Sequence, residues 1–406
     1  MCAALCAALL SCGGGGGDVA SSGSGSSGST TPSGSNVVDV VVDTGPTTSN
    51  PDTNTLFTTV TVCVPGSTTE CQTIDHIQVD TGSFGLRILS SVLSVSLPLQ
   101  TTASNTTLLE CTGFVDGYSW GPVALADVQI SGESASSVPV QVIGDANFTA
   151  LVPTACSSIG PAEDTVAAFG ANGIIGIGPF AQDCGSGCVS TVDNGDYYAC
   201  TSTLCEPTAV ALDSQVPNLI TMFAADNNGV IIQMPSVAST GATTVSGYMI
   251  FGIDTESNNK SGSQTVLTLN ESFGEFTTVF NGQSLTASFL DTGSNGLYFN
   301  DSSLTACTAS GLTDFYCPTS TQTLTAQLQG QTADGQAGTT SVNESFSVNN
   351  PESYSADDAA VPGLAGTYPG TTSTFDWGLP FYYGRTVYTA IEGGVTSVGA
   401  GPYVAF

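Results

Sequence analysis

Short apolar runs broken by polar residues fill the chain after about its first three dozen positions. Val, Ile, Leu and Phe alternate there with Thr and Ser, a period of two that gives a strand one inward and one outward face. The pattern predicts strands over 38–42, 57–64, 74–80, 86–89, 123–130, 138–143, 229–233, 247–253, 276–279, 285–291, 297–299 and 386–391. Helix signals are sparse and are confined to 162–169 and 216–226. Clusters of Gly, Asn, Asp and Ser punctuate the rest as turns. Residues 318–350, where Thr, Gln, Ser and Asn alternate with Leu and Val, read as exposed sheet and loops. The expected fold class is all-β.

The pattern also repeats. Ile77-Gln78-Val79-Asp80-Thr81-Gly82-Ser83-Phe84-Gly85-Leu86 is echoed by Ser288-Phe289-Leu290-Asp291-Thr292-Gly293-Ser294-Asn295-Gly296-Leu297. Upstream, Phe57-Thr58-Thr59-Val60 is echoed by Phe276-Thr277-Thr278-Val279. A repeat about half the chain long is too long for a solenoid, and duplication of a domain explains it. The halves are placed at 37–240 and 241–406.

Each copy joins residue types that one chemistry needs. A strand end fixes the aspartate, and Gly82 or Gly293 lets a partner backbone come close. Thr81 and Thr292 carry hydroxyls able to bond across a pseudo-twofold axis, and Ser83 and Ser294 can orient the carboxyls. Two aspartates brought together cannot both ionise cheaply, so they share a proton. One then serves as general base on a water while the other donates to a carbonyl oxygen, which cleaves an amide with no metal or cofactor. The plain alternative is two Asx-type turns without chemistry. Glycoside hydrolysis also uses two carboxylates, but it does not need them in paired identical turns.

On these motifs the chain resembles the pepsin-like aspartic proteases, and within them a bacterial branch. Gly173-Ile174-Ile175-Gly176-Ile177-Gly178 and Phe375-Asp376-Trp377-Gly378-Leu379-Pro380 are similar to the apolar-apolar-Gly segments that follow the two motifs in that family. Gly247–Asp254 and the aromatic run Phe381–Tyr388 resemble two further family segments. The resemblance covers roughly 37–406. It implies a bilobal fold with pseudo-twofold related lobes, Asp80 and Asp291 as catalytic residues, and a monomer acting on a peptide or protein substrate. It also implies a hairpin flap over the cleft, for which Phe114, Tyr118 and Trp120 are the candidates. The expected activity is that of an aspartic endopeptidase. The alternative is a cell-surface binding or structural protein of the same fold with little turnover.

Charge and cysteines refine the setting. There are 34 acidic residues against three basic ones, a net charge of -31. No basic footprint is available for nucleic acid or for anionic lipid headgroups. Self-repulsion at neutral pH favours an acidic or a salty environment. The three basic residues are Arg87, Lys260 and Arg385, and Arg87 is expected to pair with a carboxylate at the surface. The single histidine, His76, excludes any site built on two histidines. Of 13 cysteines, Cys2, Cys6 and Cys12 lie at the start and ten in the body. The even set suggests disulfides and an oxidising compartment. Cys63/Cys71 and Cys307/Cys317 are natural local pairs, and the four between 184 and 205 staple one loop or, as a rival, hold zinc. Residues 1–12 read as a signal segment in which Leu9-Leu10-Ser11-Cys12 marks Cys12 for lipidation. Residues 13–36, rich in Gly and Ser, read as a flexible tether. The expected location is extracytoplasmic: secreted, periplasmic or anchored at a bacterial surface.

Overall fold

The strand that ends at Asp80, Cys71–Asp80, buries Ile74, Ile77 and Val79. Ile74 and Ile77 are three apart, which simple alternation forbids. The ladder to Leu56–Cys63 slips between Thr58 and Val60, and His76 takes a positive φ of 48°. This bulge resets the phase of the strand and brings its last residues inward. The strand that ends at Asp291, Gln283–Asp291, does the same. Leu285 and Ser288 are both buried, and the ladder to Phe276–Phe280 slips between Phe276 and Thr278. The sequence echo is therefore an echo of backbone geometry.

The structure is a computed structural model that describes residues 31–47, 51–370 and 372–406. Cys12, the signal segment and most of the tether lie outside the described residues. Among the described residues the longest helix has five residues, so the protein is all-β. The expected helix over 162–169 shrinks to Val166–Phe169, capped by Thr165 and ended by Gly170 in the left-handed conformation. That over 216–226 shrinks to a 3-10 turn, Leu219–Met222. Pro217 blocks extension at the start, Asn218 caps the first turn, and Phe223 passes into extended backbone with ψ 148°, which ends the helix.

Six strands close a barrel in the order Leu56–Cys63, Cys71–Asp80, Gly173–Ile177, Phe84–Leu89, Glu133–Ile143 and Tyr118–Ile130. Pairing of Thr61 with Gln129 completes the ring. Its sheet continues into antiparallel strands from both ends of the chain: Val37–Val42, Val245–Phe251, Gly229–Gln233, Thr386–Ala390, Tyr403–Ala405 and Val266–Thr268. A second sheet of seven strands holds Gln283–Asp291 beside Asp376–Gly378 and Leu297–Tyr298. Phe375 stacks between Phe299 and Trp377, with ring centroids 4.7 and 4.2 Å away, and this apolar column lies under the second motif. Residues Ser33–Phe406 hold together as one compact unit.

Five disulfides join Cys63–Cys71, Cys111–Cys156, Cys184–Cys188, Cys200–Cys205 and Cys307–Cys317. Both expected local pairs form. The four cysteines between 184 and 205 make two small rings, so their sulfurs are taken and the zinc rival fails. Such a set suits an oxidising compartment. Among the described residues no helix is long and apolar enough to cross a membrane.

Arg87 departs from expectation: its side chain is buried, not at the surface. Its guanidinium bonds Glu110, reaches Asp183 at 3.3 Å and donates to Thr112 at 2.9 Å. Tyr197 donates to the same Asp183 at 2.8 Å. One cation thereby ties a cysteine-rich insertion, residues 181–215, which carries Asp183 and Tyr197, to the barrel. Arg87→Met leaves two buried carboxylates without a cation and is expected to cost about 3–5 kcal/mol. Arg87→Lys should not restore it, because the planar fork serves several acceptors at once. Urea midpoints of both variants check this, and a loss below about 1 kcal/mol for Arg87→Met contradicts it.

Candidate active site

The two aspartates meet where their turns exchange hydrogen bonds. Thr81 N donates to Thr292 Oγ1 at 3.1 Å, and Thr292 N donates to Thr81 Oγ1 at 2.9 Å. Each hydroxyl then donates across the axis, Thr81 to Leu290 O at 3.1 Å and Thr292 to Val79 O at 2.7 Å. All four bonds are buried. Within each turn the glycine N–H donates to its own aspartate, Gly82 to Asp80 Oδ1 and Gly293 to Asp291 Oδ1, both at 2.7 Å.

Glycine is required at both turns by space. A methyl carbon on Gly82 would sit 2.8 Å from the Asp291 carboxyl carbon, and one on Gly293 would sit 2.7 Å from Asp80 Oδ1. These are collisions with a carboxyl already held by its own turn. The same point on Gly293 would lie 3.0 Å from Asp291 Oδ1, so the two carboxyls sit side by side over the turns. Both strands are braced alike, with Asp80 beside Gly176 and Asp291 beside Gly378 on parallel neighbours.

Electrostatics follow from this closeness. Burial, then the charge of Asp80, then that of Asp376, push the Asp291 carboxyl well above the usual carboxylate range. The Ser294 hydroxyl, 2.8 Å from Asp291 Oδ2, pulls the other way. Among the described residues no cation offsets the pair: Arg87 and Arg385 bond carboxylates elsewhere, and Lys260 bonds Asp254 O.

Sequence reasoning placed Thr81, Gly82, Thr292, Gly293 and Ser294 at this site, and all five are in it. Ser83 is at the site as well, but its buried hydroxyl has no hydrogen-bond partner among the described residues. Three neighbours were missed. Asp376 lies 2.6 Å from Ser294 Oγ. The Tyr382 hydroxyl is 3.0 Å from Thr81 Oγ1. Asn54 donates to Asn295 O at 2.7 Å, just past the second turn. Asp376 carried the one legible signal, an acid inside an apolar anchor.

The hairpin between Thr107–Gly113 and Tyr118–Ile130 turns at Phe114–Gly117. Tyr118 and Trp120 are buried in a side cluster, where Trp120 donates to Phe148 O at 3.0 Å and packs on Tyr198. Phe114 is half-buried against Phe169, and Val115 and Asp116 are exposed. The Tyr298 hydroxyl, just past the second motif, is pushed up by burial first, then by the charges of Asp376, Asp314 and Asp116. His76 bonds Asp43 at 3.3 Å and packs edge-on to Phe57.

The fold and site define an all-β protein with two carboxyls held face to face by a duplicated turn. A family described as Protein of unknown function (DUF3443) matches residues 32–406, and the chain belongs to that family. None of the curated proteins compared with the chain matches it.

Several other acids are raised. Asp52 goes from 3.8 to about 6 through burial and then Asp43. Asp196 goes to about 6 through burial and then Glu110. Glu163, behind the hairpin turn, goes from 4.5 to about 7 through burial and then Asp116. A raised carboxyl stabilises the fold below its unfolded pKa, and that stability is lost as pH climbs through the folded pKa. Asp254 runs against this: burial raises it, but bonds from Ser261 and Ser397 outweigh burial and lower it, so its contribution fades in acid. The raised groups outnumber it. Denaturant midpoints should therefore be higher near pH 4 than near pH 7, falling as Asp52, Asp196 and Glu163 ionise at about 6 to 7. A higher midpoint at neutral pH contradicts this.

Proposed function

We propose that the protein is an aspartic-type endopeptidase with a bilobal, pepsin-like arrangement, its lobes being residues 37–240 and 241–406. The observation that carries this reading is the reciprocal Thr81–Thr292 exchange with both carboxyls at its top. In the proposed reaction one carboxylate takes a proton from water. The water oxygen attacks the scissile carbonyl carbon. The protonated partner donates to the carbonyl oxygen, and the leaving amine then takes a proton as the C–N bond breaks. A cavity lined by Gly82, Phe84, Phe273, Phe276 and Phe289, with Glu275 and Thr389 also on its wall, opens beside the first turn and gives room for a side chain. We place the enzyme outside the cytoplasm, secreted or tethered through a lipidated Cys12, acting as a monomer without metal or cofactor.

One observation favours a second reading, a cell-surface binding or structural protein with little turnover. Two of the three aromatics considered for the flap, Tyr118 and Trp120, are committed to a core. In the protease reading the flap role therefore falls to the tip, Phe114 to Asp116.

Cleavage of a broad peptide library between about pH 3 and about pH 7 tests the two readings. Asp80→Asn and Asp291→Asn should each lower kcat by about 10²–10⁴-fold while the fold is kept. Cleavage that survives both substitutions rejects the assigned residues. No cleavage by the wild-type protein at any pH favours the binding reading.

A further inference from the structure

The two halves differ at a buried position that lies one serine hydroxyl away from the carboxyl pair. In the first half Gln78 of the Asp80 strand lies beside Ile174. In the second half Phe289, at the corresponding place two residues before Asp291, lies beside Asp376. The antiparallel neighbours agree, since Arg87 faces Ile174 and Tyr298 faces Asp376. Register thus makes Asp376 the counterpart of Ile174. Where one half has an aliphatic side chain, the other has a third acid.

That acid is built into the site. Asp376 is 4% exposed. Its Oδ2 lies 2.6 Å from Ser294 Oγ, which in turn lies 2.8 Å from Asp291 Oδ2. Its Oδ1 is buried without a hydrogen-bond partner among the described residues. A serine hydroxyl has one proton and can donate to only one of two carboxyls. The other must be a donor itself, or two bare oxygens face each other at short range. Ionised Asp376 would leave a buried charge with one donor and no cation, a far costlier state than a neutral acid with one unpaired carbonyl oxygen. The charged and titratable groups around it are Asp80, Asp291, Tyr298, Tyr368 and Tyr382, and none is a cation.

We propose that Asp376 is a positioning residue that stays protonated, donates to Ser294 and thereby holds the Ser294 hydroxyl on Asp291. Among the described residues the first half has no such device, and the Ser83 hydroxyl there has no partner. The hydrogen-bond chain makes the pair asymmetric. Asp291 gains an aimed donor on its outer oxygen, which favours its ionised form. The catalytic part of this inference rests on the protease reading; the protonation of Asp376 does not.

Two substitutions separate donation from packing. Asp376→Asn keeps a donor toward Ser294 but cannot ionise, and Asp376→Ile restores the side chain of the first half without any donor. If the proposal holds, Asp376→Asn keeps kcat within about threefold, whereas Asp376→Ile lowers it by about tenfold or more and moves the acidic limb of the kcat profile up by about one pH unit. Thermal stability should run the other way, with the Ile variant at least as stable as the Asn variant. Equal losses in both variants, or an unmoved acidic limb in the Ile variant, overturn the positioning role and leave the protease reading standing. Infrared spectra at neutral pH give a readout independent of turnover. Wild type minus Asp376→Asn should show the carbonyl band of one protonated carboxyl. Its absence overturns the proposal even for a protein that cleaves nothing, and its presence supports protonated Asp376 whether or not peptides are cut.

Discussion

Everything at the centre of this molecule depends on the mutual grip of Thr81 and Thr292. Two like-charged carboxyls crowded together repel, and nothing cationic stands near to hold them. The opposing force is four buried hydrogen bonds that pass between the turns, each worth about 0.5–1.5 kcal/mol net and each costly to leave unmade. Because each threonine uses both its N–H and its hydroxyl, neither turn can shift without orphaning groups on the other. The strands behind them are fixed in turn by their parallel neighbours and by matching bulges. The carboxyls are held close because the backbone gives them nowhere else to go.

Much of this was legible in the sequence. Alternation located most strands, and the repeated Asp-Thr-Gly-Ser named the residues that meet. The twin bulges were hidden in it: Ile74/Ile77 and Leu285/Ser288 look like lapses in alternation until the slipped ladders explain them. Helix was overread at 162–169 and 216–226, where apolar spacing suggested a turn or two that capping and proline cut short. Arg87 was misplaced because a lone basic residue in an acidic chain looks like a surface charge. Its partners Glu110 and Asp183 are distant in sequence, and only the barrel and the cysteine-rich insertion bring them in. Asp376 sat in plain view within Phe375-Asp376-Trp377-Gly378, read as an apolar anchor. Periodicity has no means of telling which buried neighbour an acid will reach.

The electrostatic character of the whole follows the same logic. A chain with 34 acids and three basic residues cannot neutralise its buried carboxylates with cations. Where the described residues offer one, at Arg87, two acids compete for it. Elsewhere burial raises Asp52, Glu163, Asp196, Asp291 and Asp376 above the usual carboxylate range. Protonation thus does for this fold what salt bridges do in a charge-balanced one, and it ties stability and the state of the carboxyl pair to the same variable, pH.

The central claim is that Asp80 and Asp291 form one coupled acid–base pair. Carbon-13 resonances of the two carboxyls, followed from about pH 3 to about pH 9, test it most directly. The account predicts that the Asp291 carboxyl titrates well above the ordinary aspartate value and that its titration moves down when Asp80 is replaced by Asn. Two independent titrations at the ordinary aspartate value, each blind to the other residue, would contradict it.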